Sequence, residues 1–382
     1  MTQPVDAAQV LKAARVFGRE VIEPDAETWE FGGTLPRDYF EAAAAHGLCG
    51  LRVATADGGA GLSLGEFAEV VEVLARHCLA SAFALVVHNN LAAAIAAAGS
   101  VAQRERFLPG MLEGRSVGAF LLTEPGVGSD AQALQTSAIP RDGGWRLEGS
   151  KAWVSNSLQA DVLCVYAQTE PGAGARGVAA FLVEREQEGV FHDGCHEIIG
   201  GHALGAGVIS FEGCLLDNTQ QLFAPGEGLR RALEGIDIAR VAVAAMSCGT
   251  LARALSEALR YTRKRQAFGG ALAEQQGVQW MLADAATDLE AARGLVRAAV
   301  AAVDGGSGFS LAAAHAKKFA TRVAFARIAD CAQVMGAAGM LRDYPLARHL
   351  AAAKLAQYLD GATEIQNVVI ARALEKNYLE LN

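Results

Sequence analysis

Gly118-Ala119-Phe120-Leu121-Leu122-Thr123-Glu124-Pro125-Gly126-Val127-Gly128-Ser129-Asp130 changes character twice within one short run. Ala119 to Leu122 has the length and composition of a buried strand. Pro125 ends it, because proline brings no backbone donor and confines Glu124 to an extended conformation. Gly126 and Gly128 then permit a sharp turn of bare backbone that a flat ligand can approach closely. Ser129 and Asp130 place a hydroxyl and a carboxylate at the exit. Gly-x-Gly-x-x-Gly is absent and no strand–helix–strand unit follows, which excludes a Rossmann fingerprint here.

Further on, the chain reads Leu147-Glu148-Gly149-Ser150-Lys151-Ala152-Trp153-Val154-Ser155-Asn156. The two runs, in this order, resemble the paired signatures of the acyl-CoA dehydrogenase family, and the resemblance covers the whole chain. It implies an α+β protein of that fold: an N-terminal helical domain, a middle β-barrel domain and a C-terminal four-helix bundle.

Composition agrees with a large globular protein. A chain of 382 residues suits two or three packed domains, and 52% hydrophobic with 20% charged residues excludes a disordered chain. The formal charge of −9 argues against a nucleic-acid or anionic-membrane surface, leaving room for a local basic pocket. Met1 to Asp6 has neither a secretion signal nor an Arg-rich presequence, and Ala-rich stretches such as Leu91 to Ala98 are too short to span a bilayer. A soluble, cytoplasmic protein is expected. Cysteines 49, 78, 164, 195, 214, 248 and 331 contain no Cys-x-x-Cys pair and read as buried thiols. His192-Asp193-Gly194-Cys195-His196 has spacing for part of a metal site, but no second cluster completes four ligands, so no metal is expected.

Periodicity divides the chain into a helical domain (1–112), a β domain (113–226) and a second helical domain (227–382). In the first, Val10, Leu11, Ala14, Phe17 and Val21 form an apolar stripe that Pro24 ends. Pro36 opens a helix that stops at His46-Gly47, and Ser63 with Glu66 makes a capping box. Ala82 to Ala98 is apolar nearly all round, a helix for the middle of a bundle. His88-Asn89-Asn90 interrupts it, either as a satisfied polar break or as pocket lining. In the second, short runs rich in Val, Phe and Trp alternate with turn residues, with a hairpin at Arg141-Asp142-Gly143-Gly144. In the third, helices are expected from about Arg231 to Lys264, Glu274 to Val303 (closed by Gly305-Gly306-Ser307-Gly308), Ser310 to Met335, and from near Glu364.

The resemblance implies FAD as cofactor and assigns residues to it. Trp153 lies against the flavin ring, Ser155 donates toward its reactive nitrogen, and Leu122 and Thr123 touch it. Arg265, whose fork suits a pyrophosphate, reaches FAD from a neighbouring subunit with Phe268 and Gln276 beside it. Gln333 and Gly336 belong to an adenosine-binding run, although Ala337 stands where a second glycine is usual, and Glu364 completes the cofactor set. Such contacts across subunits imply at least a dimer and commonly a homotetramer. For substrate, the resemblance implies Ser129 near the thioester, Asp237 and Arg240 near the pantetheine and adenine, and Gly361. Asp237 and Arg240 share a face at i, i+3 on the start of a helix.

The catalytic base is where the chain departs from the family. One family position for a glutamate is Ala239 here. The commoner one, within Tyr-Glu-Gly-Thr, reads Leu359-Asp360-Gly361-Ala362. Asp360 keeps a carboxylate on a stem one methylene shorter, a reach about 1 Å less, and misplacement of that size costs about a hundredfold unless compensated. The expected activity is FAD-dependent α,β-dehydrogenation of an acyl-CoA to the trans-2-enoyl-CoA, with Asp360 as base and an electron-transfer flavoprotein as acceptor. Open alternatives are a flavin oxidase of the nitroalkane-oxidase kind, a dehydrogenase of carrier-protein-tethered acyl groups, and a non-catalytic partner subunit.

Overall fold

The computed structural model describes residues 6–304 and 308–379. Asp6 caps α1 (Ala7–Phe17), accepting from the Ala8 amide at 2.9 Å, and Val10, Ala14 and Phe17 are buried as the stripe requires. Pro24 does not end the stripe. The chain widens into a π turn at Gly18–Ile22 and re-enters α2 (Glu23–Phe31), where Pro24 sits in the first turn and breaks no hydrogen bond. Glycine is required at 18 because a Cβ there would lie 2.5 Å from the His77 ring. α3 (Asp38–Ala45) follows Pro36. α4 (Leu64–Ala75) opens on the capping box, the Ser63 amide donating to Glu66 at 2.8 Å and the Glu66 amide to Ser63 Oγ at 3.3 Å.

α5 (Leu79–Ala98) and α6 (Val101–Leu112) close this layer. The Leu91–Ala98 stretch is thus the end of a 20-residue helix, long and apolar enough to cross a membrane. Its apolar window is 78% buried, as is that of the long helix Gly228–Lys264, which marks both as core helices. His88 and Asn89 are satisfied polar breaks. His88 Nε2 meets Met111 O at 3.0 Å and its Nδ1 accepts from the Gly118 amide at 3.2 Å, which fixes a neutral tautomer with the proton on Nε2. Asn89 accepts from the Leu51 amide and donates to Leu48 O and Leu85 O. The carbonyl oxygen of the Asn90 side chain is buried without a partner among the described residues.

β1 (Val117–Leu121) pairs in parallel with β4 (Ala160–Gln168). β2 (Ser137–Arg141) and β3 (Gly144–Val154) form the expected hairpin, Gly143 turning at φ 78°. With β5 (Val178–Glu184), β6 (Val190–Cys195), β7 (Gly207–Asp217) and β8 (Gln221–Phe223) they make one eight-stranded sheet ordered β6-β7-β3-β2-β4-β5-β8, with β1 on β4. β2 and β4 meet at the single pair Ser137 and Gln168. Leu147, Val154 and Phe211 on one side of that seam share a core with Leu163, Val165 and Phe181 on the other, so the layer is barrel-like.

α7 (Gly228–Lys264) begins earlier than its periodicity suggests, so Asp237 and Arg240 lie in its third and fourth turns, not at its start. A short hairpin, β9 (Gln266–Ala267) and β10 (Gly270–Ala271), leads to α8 (Gln276–Asp304) and α9 (Phe309–Val334). Residues 305–307 of the glycine-rich closure lie outside the described residues. α10 (Leu346–Ala356) was not expected from the sequence, and α11 (Thr363–Tyr378) was. One hydrophobic core runs from Val10 through α4, α5, α7 and α9 to Ala356, so the two helical layers are welded into one body.

Candidate functional site

Four non-glycine residues among those described hold positive φ: Trp153 at 57°, Asn156 at 64°, Phe268 at 53° and Asp360 at 50°. Such backbone costs about 1–3 kcal/mol each and persists where the surroundings impose it. Trp153, Phe268 and Asp360 are among the residues the sequence singled out, and Asn156 ends the second signature.

At the sheet, the two signatures interlock. Lys151, fully buried, donates to Leu122 O at 3.0 Å and to Glu124 at 2.7 Å. Glu124 also accepts from the amides of Gln135 and Thr136 at 2.7 and 2.8 Å. Burial pushes Glu124 up, but the Lys151 ammonium outweighs it and holds the carboxyl below its usual range. Burial likewise lowers Lys151 to about 8, against the opposing pull of Glu124. The Ala152 amide donates to Thr123 O at 2.9 Å, so the carbonyls of Leu122 and Thr123 are both committed. The hydroxyls of Thr123 and Ser155, half-buried on either side, bond to nothing among the described residues.

Trp153 stands between them, 55% exposed, with one face stacked on His196 at 4.2 Å. Asn156 fixes its far end, donating to Ala84 O of α5 at 3.0 Å and to Gly118 O of β1 at 3.1 Å. Gly126 and Gly128 are not in the left-handed region; the turn is closed instead by reciprocal Glu124–Val127 bonds. A Cβ at either glycine would meet nothing within 4 Å, so the fold does not require glycine there and the backbone lies open. Ser129 is exposed beside them.

In the metal-like run at the end of β6, His192 and Cys195 converge on Ser157 Oγ, while His196 turns away to Trp153. His192 Nε2 lies 3.1 Å from Ser157 Oγ, His196 packs on Trp153, and Cys195 is exposed, in contrast to the six other, buried cysteines. No group of three metal-ligating side chains occurs among the described residues.

The second half of the site is a turn between α10 and α11. Arg240 Nη1 pairs with Asp237 at 2.7 Å and its Nε donates to the Asp360 carbonyl at 3.1 Å. Burial pushes the Asp237 carboxyl up despite this arginine. Gln366 donates to Gly361 O at 2.9 Å. Lys317 of α9, 1% exposed, donates to Gln357 O at 3.1 Å and to Gly361 O. Asp360 Oδ2 is buried with no hydrogen-bond partner among the described residues. Burial therefore raises the Asp360 carboxyl, with Lys317 and Arg240 opposing. Lys317 was missed in the sequence, although a lysine amid buried Ala313, Ala314, Ala316 and Ala320 was a legible signal. Asp237 also borders a cleft of about 390 Å³ between α7 and the sheet, walled by Arg176, Leu229, Arg230 and Leu233.

Arg265, Phe268 and Gln276 cluster on the β9–β10 hairpin and the first residue of α8, all exposed, Phe268 by 93%. Gln333 and Gly336 (φ 61°) are exposed at the end of α9, and Glu364 in the first turn of α11. These groups do not converge with Trp153 through any contact within the described chain.

The arrangement fits FAD: an open indole with two unbonded hydroxyls offers a flat face, and an exposed guanidinium suits a pyrophosphate. Three family models cover the chain: the acyl-CoA dehydrogenase N-terminal domain (5–115), middle domain (119–214) and C-terminal domain (226–375). An acyl-CoA dehydrogenase of Bacillus subtilis (strain 168) is 33% identical over 95% of this chain and 96% of its own. Butyryl-CoA dehydrogenase from Megasphaera elsdenii superposes with TM-score 0.92 at 31% identity, covering 98% of this chain and 100% of its own. A chain in the electron transferring flavoprotein structure of Acidaminococcus fermentans, solved to study flavin-based electron bifurcation, gives TM-score 0.93 at 32% identity over 98% of this chain and 99% of its own. The chain belongs to the acyl-CoA dehydrogenase family and is an FAD-dependent oxidoreductase.

Proposed function

We propose that this enzyme converts a short-chain acyl-CoA to its trans-2-enoyl-CoA and passes the electrons to an electron-transfer flavoprotein. The observation that carries the reading is Asp360: a carboxylate with one oxygen buried and unpartnered among the described residues, in a turn where the carbonyls of Gln357, Asp360 and Gly361 are each held by a neighbouring side chain. A buried carboxylate with a raised proton affinity is matched to removing the weakly acidic α-proton of a thioester. The likeness to butyryl-CoA dehydrogenase supports a short acyl chain, and the likeness to the Acidaminococcus fermentans chain supports the acceptor.

FAD, when bound, supplies the two-electron acceptor chemistry. The chain's own residues do the rest. Trp153 gives that group a planar wall, and the Thr123 and Ser155 hydroxyls give it polar partners. Arg265, Phe268, Gln276, Gln333, Gly336 and Glu364 hold its remote end from a neighbouring copy. Ser129 sits near the thioester, and the cleft beside Asp237 takes the polar arm of the substrate, with Arg176 and Arg230 at its wall. Gly361 lets the substrate approach the base, and Asp360 accepts the α-proton.

The test is anaerobic addition of a panel of acyl-CoAs to the purified yellow protein while flavin absorbance is followed. Bleaching by butyryl-CoA ahead of long-chain thioesters supports the reading. No bleaching by any of them, together with peroxide formation from a nitroalkane or reaction of a carrier-protein thioester, overturns it.

A further inference from the structure

Neighbouring side chains hold the turn that carries Asp360 by its main-chain carbonyls. Lys317 from α9 takes the carbonyls of Gln357 and Gly361, Arg240 from α7 takes that of Asp360, and Gln366 from α11 takes that of Gly361. None of these donors touches the carboxylate. Lys317 is the unusual member, a fully buried amine that makes no ion pair among the described residues. Burial lowers its pKa to about 7, so it carries its charge across the acid range in which Asp360 titrates. A side-chain amide, with two N–H donors, would satisfy two carbonyls without the cost of burying a charge.

We propose that Lys317 is a positioning residue for the reaction: it closes the 357–361 turn around Asp360 and supplies a positive charge that keeps the unpartnered carboxylate able to ionise. This rests on the reading of Asp360 as the base. Three further groups face the pair. Arg240 adds positive charge from α7, Asp237 offsets part of it, and the Glu364 carboxylate on α11 favours the charged form of Lys317. Lys317 and Arg240 lower the proton affinity of Asp360 while burial raises it. Removing the lysine leaves burial less opposed, and the carboxylate holds its proton to higher pH.

The experiment compares Lys317→Met, Lys317→Gln and Lys317→Arg as flavin-loaded enzymes, by pH profile of kcat/KM, KM, flavin content and Tm. The acid limb of kcat/KM reports the essential base of the free enzyme. K317M loses charge and donors, so its acid limb moves up by about one pH unit or more and its kcat falls about tenfold to a hundredfold. K317Q keeps a donor, so its limb moves similarly with a smaller fall in kcat. K317R restores the charge and brings the limb back toward the wild-type position. KM changes less than kcat in all three, because substrate binding groups are untouched.

A purely structural lysine predicts lower Tm or flavin content with the acid limb unmoved, and that result in K317M and K317Q overturns the proposal. Asp360→Asn separates the two ideas. If D360N still bleaches at the wild-type rate, the base reading fails whatever position 317 does. If D360N does not bleach while the acid limb of the Lys317 variants stays in place, only the role of Lys317 fails.

Discussion

Arg240 reaches Asp360 through the main chain, its Nε 3.1 Å from the carbonyl oxygen, while its Nη1 is held by Asp237 at 2.7 Å. The arginine therefore aims the turn and leaves the carboxylate free. A short aspartate can serve where a longer side chain is usual only if its backbone is placed with this kind of care.

Gly361 is the tightest test of that placement. It holds φ 94°, and a Cβ there would lie 3.3 Å from both Arg240 Nη2 and Gln366 Nε2. Gly361→Ala should cost about 1–3 kcal/mol of stability. Its kcat should fall by about a hundredfold, with flavin content unchanged. Stopped-flow bleaching and thermal melts measure the two effects separately.

The Glu124–Lys151 pair welds the two signature loops. Breaking it from either side leaves a buried charge without its partner, at about 3–5 kcal/mol. Lys151→Met and Glu124→Gln should each lower Tm and weaken flavin retention. The double variant should recover part of the loss, a coupling that a double-mutant cycle on Tm reads directly.

His88 makes stability depend on pH. Burial lowers its pKa to about 4 from 6.5, so the folded protein keeps it neutral. Its contribution is complete above pH 6.5 and is lost as pH falls through about 4. The total is about 3 kcal/mol. His88→Gln is expected to be less stable at pH 7 but to lose less on moving to pH 5. Urea midpoints at the two pH values would expose the difference, and equal losses would discount this histidine.

Arg265 and Phe268 sit on an exposed hairpin, Phe268 in a left-handed backbone with 93% of its surface open. Neither supports the fold of its own chain. Arg265→Ala and Phe268→Ala should leave the unfolding free energy of the flavin-free protein within about 0.5 kcal/mol of wild type. FAD should nevertheless dissociate at least tenfold more readily, measured by flavin fluorescence on dilution.

Much of this was legible in the residues. The capping box at Ser63, the Asp142-Gly143 hairpin and the apolar run of α5 are local codes, and each formed where its chemistry dictates. Pro24 misled because a proline that stops one helix is equally suited to start another, and only the π turn at Gly18–Ile22 decides between them. The turn expected at Gly126 and Gly128 forms, with Pro125 and Gly126 at its corner and Gly128 in the bend that follows, but the bonds that close it come from Glu124 and Val127. α10 escaped notice because its buried face includes Arg348 and His349 beside Leu346, Ala352, Ala353 and Ala356, which leaves no clean apolar stripe. Lys317 and the unpartnered Asp360 oxygen are non-local facts. They arise from α7, α9 and the turn before α11 meeting in space, which no spacing in the chain records.

Asn156 holds carbonyls of α5 and β1 with the two hydrogens of one amide group. An opening that frees the helix therefore also loosens the strand and the backbone under Trp153. The N-terminal helices and the sheet form one cooperative unit, and the amides of Gly118 and Asn156 should exchange with solvent only through global unfolding. Access to the indole face then comes from the open side of the molecule, never by parting these two layers.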